Sequence, residues 1–172
     1  VPLSWDQNPS LVSKWRTSIS HVPQHIFLTD SSLAQNIAFG IRPKDIDQSK
    51  LRSCAQVAQI SSFIDSLPSG YETSVGERGV KLSGGQLQRI GIARALYSSP
   101  TTLILDEATS ALDPSTESLV MRSIKEFSSS ITVIMISHRL HSLTTCDFVI
   151  DLKAGKIKSF YDQATFSKSF IC

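Results

Sequence analysis

The sequence predicts an α/β protein built around a parallel β-sheet. Three apolar runs rich in β-branched residues, at 102–105, 131–136 and 148–152, lie in the second half of the 172-residue chain. Apolar strands that alternate with helices are typical of a parallel sheet covered on both faces. The length is that of one domain, or a large piece of one.

The chain begins with a predicted helix and strand. Asn8 and Pro9 have the residue types of an N-cap and first helical position, which predicts a short helix through Trp15. The segment SISHV at 18–22 is then predicted to be a strand that stops at Pro23.

A small helical subdomain is predicted over residues 31–67. DSSLAQNIAFG at 30–40 has a capped helical pattern with a glycine stop, and SSFIDSLPSG at 61–70 indicates a further short helix. Turn-forming residues and charges predict a loop over YETSVGERGVKL at 71–82. Between these helices, residues 45–60 carry apolar side chains at helical spacing, namely Leu51, Ala55 and Ala58.

The second half contains two further predicted helices and a hairpin. One helix follows SGGQ, and the other begins with Asp113 as cap and Pro114 at the first position. Its apolar face is formed by Val120, Ile124 and Phe127. KAGK at 153–156 predicts a turn, with IKSFY as the returning strand.

Composition excludes little and favours a reduced, cytosolic chain. There are 17 basic and 15 acidic residues without a basic run, so no nucleic acid partner is expected. Cys54, Cys146 and Cys172 form no C-x-x-C pair, which indicates packing roles. The apolar runs are strand-length and fall short of the roughly 20 residues that span a bilayer.

The segment SGGQ raises the possibility of a phosphate site. Gly84 and Gly85 let backbone N–H groups approach an anion, and the following helix adds the positive end of its dipole. The alternative is a plain helix start with Ser83 as cap. The run G-x-x-x-x-G-K-[ST], which normally supplies a phosphate-binding lysine, occurs nowhere in the sequence.

Other candidate residues come directly after predicted strands. Asp106 and Glu107 end an apolar strand, where one carboxylate can hold Mg²⁺ and the next can accept a proton from water. The alternative is that Asp106 caps the next segment of the chain and Glu107 is solvated. Gln24 and His138 also come after strands, and each alone is as readily a surface or structural residue.

Two metal alternatives are disfavoured. His21 and His25 are four residues apart with a proline between them, so no helix presents both to zinc. His138 and His141 lack the i,i+4 spacing of a helical metal pair, which favours a structural role for His141.

Taken together and in order, these motifs resemble the ATPase domain of the ATP-binding-cassette (ABC) family. The matching segments are Gln24 in VPQ (Q-loop), LSGGQ at 82–86 (signature), LILDE at 103–107 (Walker B), SALD at 110–113 (D-loop) and His138 in SHRL (switch histidine). TSVGERG at 73–79 is similar to a loop of ABC exporters. Leu87 and Ser74 depart from that pattern, which commonly has a basic and an acidic residue there.

The resemblance implies a P-loop NTPase-like fold with an inserted α-helical subdomain. Residues 1–30 would carry a core strand and the Q-loop, 31–82 the helical subdomain and exporter-type loop, and 83–172 the remaining motifs. The Walker A lysine loop would be missing. The 172 residues alone are therefore expected to hydrolyse ATP negligibly.

The resemblance also implies roles for the residues of the catalytic half-site. Asp106 would hold Mg²⁺, and Gln24 would sense that ion and connect the site to a membrane domain. Glu107 would act as general base, and His138 would hold the γ-phosphate and position the attacking water.

The remaining motif residues would act across a dimer. In this family two ATPase domains meet head to tail, so that the signature loop binds the ATP held by the partner. Asp113 would couple the two sites. The signature residues in this role are Ser83, Gly84, Gly85 and Gln86.

The implied whole is a membrane exporter with ATP and Mg²⁺ as ligands. A transmembrane domain on the same full-length chain is expected, which would place this domain at the cytoplasmic face of the membrane. The cargo stays open between lipids, lipid-linked sugars, drugs and peptides. The alternatives are a soluble ABC ATPase and an incomplete interaction module. Soluble members with a long coiled coil between Q-loop and signature are disfavoured, because only a compact segment lies between Gln24 and Ser83.

Overall fold

A computed structural model describes residues 9–76, 82–127 and 130–170. The strands are β1 (Ile19–Val22), β2 (Thr102–Asp106), β3 (Thr132–Ile136), β4 (Phe148–Lys153) and β5 (Lys156–Asp162). The helices are α1 (Pro9–Ser18), α2 (Leu33–Ile37), α3 (Gln48–Val57), α4 (Ser61–Asp65), α5 (Gly84–Tyr97), α6 (Pro114–Phe127), α7 (Leu140–Leu143) and α8 (Gln163–Phe170). The predicted cap Asn8 and the predicted loop residues 77–81 lie outside the described ranges.

The three strands β1, β2 and β3 form a parallel sheet in that order. His21 pairs with Ile104, and Leu105 pairs with Met135. The central strand β2 is apolar and buried, with Leu103 fully inaccessible to solvent. The predicted parallel sheet is therefore confirmed, and the carboxyl ends of all three strands lie at one edge.

The third apolar run forms the predicted hairpin and does not join the parallel sheet as expected. Strand β4 pairs antiparallel with β5, and no described residue connects this hairpin to β3 in a ladder. The predicted KAGK turn explains the pairing, because Ala154 and Gly155 both take the positive φ angles of a two-residue hairpin loop. Ile134 and Ile136 of β3 are about half exposed, so the described residues do not cover both sheet faces as predicted.

Of the predicted helices over residues 31–67, α2 and α3 pack against α5, and α4 packs against α3. Ser32 and Gln35 form a capping box that begins α2, and this helix ends at Ile37, ahead of the predicted stop at Gly40. The backbone reverses after it, and Gly40 has a φ of 82°. The core of this region is apolar and fully buried, with Leu33, Ile37, Leu51, Cys54, Ala55, Ile60 and Ile64 as its main members.

The predicted packing role is confirmed for Cys54. The residue is inaccessible to solvent, and burial raises the pKa of its thiol to about 11. The thiol therefore stays protonated and unreactive at neutral pH.

Two arginines of α5 bond backbone carbonyls of neighbouring segments. Arg94 donates from Nε to the carbonyl of Asn36 at 2.7 Å and from Nη1 to the carbonyl of Phe27 at 2.9 Å. Arg89 donates to the carbonyl of Gln59. Backbone carbonyls in loops and at helix ends need hydrogen-bond donors, and one guanidinium supplies several. The two arginines therefore hold the segments around Phe27, Asn36 and Gln59 against α5.

Helix α6 begins as predicted, with Asp113 as cap and Pro114 at the first position. Val120 and Ile124 are buried, whereas Phe127 is 40% exposed although it was predicted on the same face. Phe127 is the last residue of the helix, where the apolar stripe passes beyond the core it covers.

Candidate functional site

The carboxyl edge of the sheet brings three of the predicted residues together. Gln24 follows β1, Glu107 follows β2 and His138 follows β3. Gln24 donates from Nε2 to Oε2 of Glu107 at 2.6 Å, and Nε2 of His138 lies 2.9 Å from Oε1 of the same carboxylate. Both oxygens of Glu107 are thus held by neighbouring strand ends.

The backbone of Glu107 fixes the position of its side chain. Its φ is 50°, a left-handed conformation that non-glycine residues adopt rarely and that clusters at functional sites. Its N–H donates to the carbonyl of Ile136 at 3.0 Å, which extends the β2–β3 ladder by one bond. The carboxylate is therefore directed across the strand ends, and the alternative of a freely solvated Glu107 does not describe this structure.

Asp106 is the last residue of β2, and its side chain is 43% exposed. Nε2 of His21 lies 3.8 Å from its Oδ2. No group of three or more His, Cys, Asp or Glu side chains in the described ranges could hold a metal by itself. A single accessible carboxylate suits Mg²⁺, because this ion takes one or two protein carboxylates and completes its shell with phosphate and water oxygens.

A cavity of about 190 Å³ opens beside the Glu107 carboxylate. It lies between the segment after β2 and the segment after β3. Its lining consists of Glu107, Thr109, Ser110, Ser137, His138 and Arg139. A phosphate-sized group entering it would meet Glu107 and His138 together.

Residues 107–112 form a turn, called here the 107–112 turn, that is bonded by two side chains the sequence analysis did not single out. Oε1 of Gln88 accepts from the N–H of Ala111 at 2.8 Å, and Nε2 of Gln88 donates to the hydroxyl of Ser110 at 3.0 Å. Arg139 donates from Nη1 to the carbonyl of Leu112 at 2.9 Å. The sequence does contain a sign that Gln88 is buried, because it lies one helical turn before the apolar Ile92 and so shares the buried face of α5.

A buried carboxylate lies behind this turn. Glu117 of α6 is 1% exposed, and its Oε1 accepts from the hydroxyl of Thr109 at 2.6 Å. Its Oε2 lies 3.7 Å from Nη1 of Arg139 and 3.8 Å from Nδ1 of His141. Sequence reasoning missed Glu117, although it precedes Val120 by three positions and so shares its buried face.

The SGGQ segment forms a helix start. Ser83 and Gln86 make a reciprocal capping box, with the Ser83 hydroxyl accepting from the Gln86 N–H at 3.2 Å and Oε1 of Gln86 accepting from the Ser83 N–H at 2.8 Å. A Cβ on Gly85 would lie 3.0 Å from the carbonyl oxygen of Ala111, so this glycine lets α5 approach the turn closely. The cap is thus present, and it leaves the phosphate interpretation open.

The structure does not join this segment to the catalytic candidates. Among described residues, no hydrogen bond or ion pair connects 83–86 with Gln24, Glu107 or His138. Asp113 also lies apart from them and caps α6. The Ser115 hydroxyl and the Thr116 side chain and N–H hold the pKa of Asp113 well below its usual range.

The fold and the site define an α/β domain of the P-loop NTPase-like class, and the comparisons with known proteins agree. Residues 4–110, well over half of the chain, match the family described as "ABC transporter". The chain therefore belongs to the ABC transporter family, as an ATP-binding domain of exporter type.

Curated relatives and a solved structure give the same result. ABC transporter B family member 6 of Dictyostelium discoideum is 47% identical over 83% of this chain and 21% of its own length. Multidrug resistance protein pgp-1 of Caenorhabditis elegans is 43% identical over 83% of this chain and 11% of its own length. A structure of a bacterial Atm1-family ABC exporter with ATP bound matches with a TM-score of 0.82 and 36% identity, covering 90% of this chain and 27% of that one.

These matches confirm the predicted family and fold class. The chain spans well under a third of the length of these relatives. In the described parts of the chain, no helix combines the length and apolarity needed to cross a bilayer.

Proposed function

We propose that this chain belongs to the nucleotide-binding domain of an ABC exporter and supplies that domain with its catalytic base for ATP hydrolysis. The observation that carries the proposal is the Glu107 carboxylate, held at both oxygens by Gln24 and His138 at the carboxyl edge of the sheet. Ligands of open α/β sheets bind at this edge. The likeness to the Atm1-family exporter with ATP bound supports the choice of nucleotide.

Glu107 is the general base in this proposal. One carboxylate oxygen takes the proton of the attacking water as the water oxygen bonds to the γ-phosphorus, and the bond to the β–γ bridging oxygen breaks so that ADP leaves with the electron pair. His138 has a strongly exposed side chain, and its Nε2 is 2.9 Å from Oε1 of Glu107. It can therefore move from the carboxylate to a phosphate oxygen and free Oε1 for the proton.

Asp106 and Gln24 are the proposed holders of Mg²⁺. Gln24 uses its amide nitrogen on Glu107, which leaves its carbonyl oxygen available as one ligand, and the carboxylate of Asp106 would supply another. Both are the hard oxygen donors that Mg²⁺ prefers. When bound, this ion neutralises charge on the transferring phosphate.

The signature segment is proposed to serve a second ATPase domain. Ser83, Gly84, Gly85 and Gln86 begin the 14-residue helix α5, whose N-terminus suits an anion. Since they make no bond to this chain's own Glu107, they are free to meet the γ-phosphate of ATP held by a partner. Asp113 follows the turn that packs on Gly85 and is proposed to couple the two half-sites.

Coupling to a transmembrane domain at the cytoplasmic face of a membrane completes the proposal. The relatives, which include a multidrug resistance protein and a bacterial exporter, support this role.

The test is Mg²⁺-dependent release of phosphate from ATP. The protein as its gene encodes it, purified in detergent and returned to lipid, is compared with the 172-residue chain. Turnover is expected from the encoded protein and not from the 172 residues, because their sequence has no phosphate-binding lysine loop. Absence of turnover in the encoded protein would refute the proposed function, and robust turnover by the 172 residues would refute the need for that loop.

A further inference from the structure

We propose that Gln88 and Arg139 are positioning residues that hold the 107–112 turn from two sides and so set the place of the catalytic carboxylate. The inference rests on the proposed ATPase function. Gln88 belongs to α5, the helix that begins with the signature segment, and Arg139 directly follows the switch histidine. The two side chains therefore tie the signature helix and the histidine segment to the same turn.

Gln88 bonds the turn with both ends of its amide. Besides accepting from Ala111 and donating to Ser110, its Nε2 donates to the carbonyl of Glu107 at 3.3 Å. The side chain is 5% exposed, so water cannot readily replace these bonds. An amide with fixed partners at both ends holds a turn in one conformation, which a hydrocarbon side chain of equal size would not do.

Arg139 bonds the other side of the turn. Its Nη1 and Nη2 donate to the carbonyls of Leu112 and Ser110, and a longer contact of 3.5 Å reaches the carbonyl of Thr109. The two terminal nitrogens of Arg139 thus donate to carbonyls that are two residues apart in the chain. The planar fork of an arginine permits this, whereas a single lysine ammonium is a point donor.

Glu117 determines where Arg139 points. Its carboxylate is buried, receives the Thr109 hydroxyl on Oε1 and leaves Oε2 without a hydrogen bond, 3.7 Å from Nη1 of Arg139. A buried carboxylate is costly unless positive charge lies near it. The guanidinium therefore has an electrostatic reason to stay over the turn, and Nδ1 of His141 lies 3.8 Å from the same carboxylate oxygen.

The consequence concerns geometry at the reacting atoms. The turn begins at Glu107, whose φ of 50° has to be maintained by its surroundings. If either side chain is lost, the turn can relax and the carboxylate shifts relative to Gln24 and His138. A misplacement of about 1 Å can cost on the order of 100-fold in rate.

The experiment measures ATP turnover and amide exchange in the encoded protein. Variants Gln88→Leu and Arg139→Ala each remove one set of bonds, and exposed residues of the same types supply the controls Gln56→Leu and Arg122→Ala. We expect each test variant to lower kcat by roughly 10-fold with KM for ATP within about 2-fold, since neither side chain is among the groups proposed to hold ATP or Mg²⁺. The controls are expected to match the unmodified protein.

Amide exchange of residues 107–112 without nucleotide reports the turn directly. Faster exchange is expected in both test variants, above all at the Ala111 N–H that donates to Gln88. Unchanged exchange in this segment would overturn the proposal. If the unmodified protein shows no turnover, the proposed ATPase function fails by that result, while the exchange data still decide whether the two side chains hold the turn.

Conservative variants separate positioning from folding. Arg139→Lys keeps a positive charge beside Glu117 and loses the fork, so it is expected to restore the melting temperature relative to Arg139→Ala and to leave kcat low. Full recovery of kcat by Lys would overturn the role of the fork. Gln88→Glu keeps the shape and the acceptor and removes both donors, and it replaces Gln88→Leu if the leucine variant does not fold.

Discussion

Nε2 of His138 lies 2.9 Å from Oε1 of Glu107, and the two residues follow the adjacent parallel strands β3 and β2. The imidazole side chain is 88% exposed, whereas the carboxylate is 23% exposed and fixed by its backbone. The histidine is thus the movable member of the pair. In the proposed reaction, a phosphate oxygen competes for the histidine while the carboxylate keeps its position as the base.

Replacing Glu107 with Gln removes the proposed base and keeps the side-chain volume. Turnover is expected to fall by at least about 100-fold, the usual contribution of a general base, while ATP binding persists and the closed dimer accumulates. Phosphate release and nucleotide retention in the encoded protein provide the measurements. Glu126→Gln, an exposed carboxylate of α6, is the matched control, and normal turnover in Glu107→Gln would remove Glu107 as the base.

Replacing Ser83 with Arg tests the signature segment. The bulky side chain is expected to block ATP-driven dimer closure more than ATP binding, because Ser83 is proposed to meet the partner's nucleotide. Ser83→Ala is the control, since it loses the cap on the Gln86 N–H, at a cost of about 1 kcal/mol, without adding bulk. Crosslinking of the dimer in the Glu107→Gln background gives the readout, and equal dimerisation of the Arg variant would contradict the role.

The sequence was sufficient to predict the residues at the sheet edge. The resemblance to the ABC family identified Gln24, Glu107 and His138 as candidates, and each comes after a predicted strand. Parallel strands bring their carboxyl ends to one edge, which explains why the three residues lie together. Gln88 and Glu117 were missed for the opposite reason. Each is a polar residue within a helical pattern, and whether it is solvated or bonded depends on which distant turn covers it.

The same limit explains the errors. The run at 148–152 has the composition of a strand in the parallel sheet, yet among the described residues it pairs only with the returning strand β5, as the KAGK turn predicts. The residues of the KAGK turn predict the hairpin. No local residue pattern shows whether the other edge of β4 pairs with the parallel sheet. Arg94 likewise carried no local sign that carbonyls of Phe27 and Asn36 would surround it.

Replacing Asp113 with Asn tests the cap of α6 by its pH dependence. The depressed pKa of Asp113 means that the carboxylate stabilises the folded state at pH values above its unfolded pKa of about 3.9. This advantage over Asn is expected to shrink as the pH falls below about 4 and to vanish once the pH passes the folded-state pKa. Asn retains an acceptor for the Thr116 N–H, so the variant isolates the charge.

Melting temperatures of the two proteins between pH 7 and pH 2 give the measurement for Asp113. Asp65→Asn is the control, because Asp65 stands at the end of α4 rather than at a helix start. A difference between Asp113 and Asn that is constant across this range would contradict the linkage between the charge and the cap.

Replacing Gly91 with Ala tests the contact between α5 and the segment that carries Gln24. A Cβ at this position would lie 2.6 Å from Cδ1 and 2.9 Å from Cγ1 of Ile26, two residues beyond Gln24. Alanine in a helix interior normally stabilises by about 1 kcal/mol relative to glycine. Here the overpacking is expected to reverse the sign and lower the free energy of unfolding by about 1–3 kcal/mol.

A second variant removes the Ile26 side chain that the added Cβ would meet. In an Ile26→Ala background the added Cβ has space, so Gly91→Ala is expected to become neutral or stabilising, which a double-mutant cycle from denaturant unfolding would show as coupling. ATP turnover of the single variant is expected to fall as well, because displacement of Ile26 moves Gln24 away from Oε2 of Glu107. If Gly91→Ala stabilises the protein with Ile26 intact, then Ile26 rotates aside and this packing does not fix the position of Gln24.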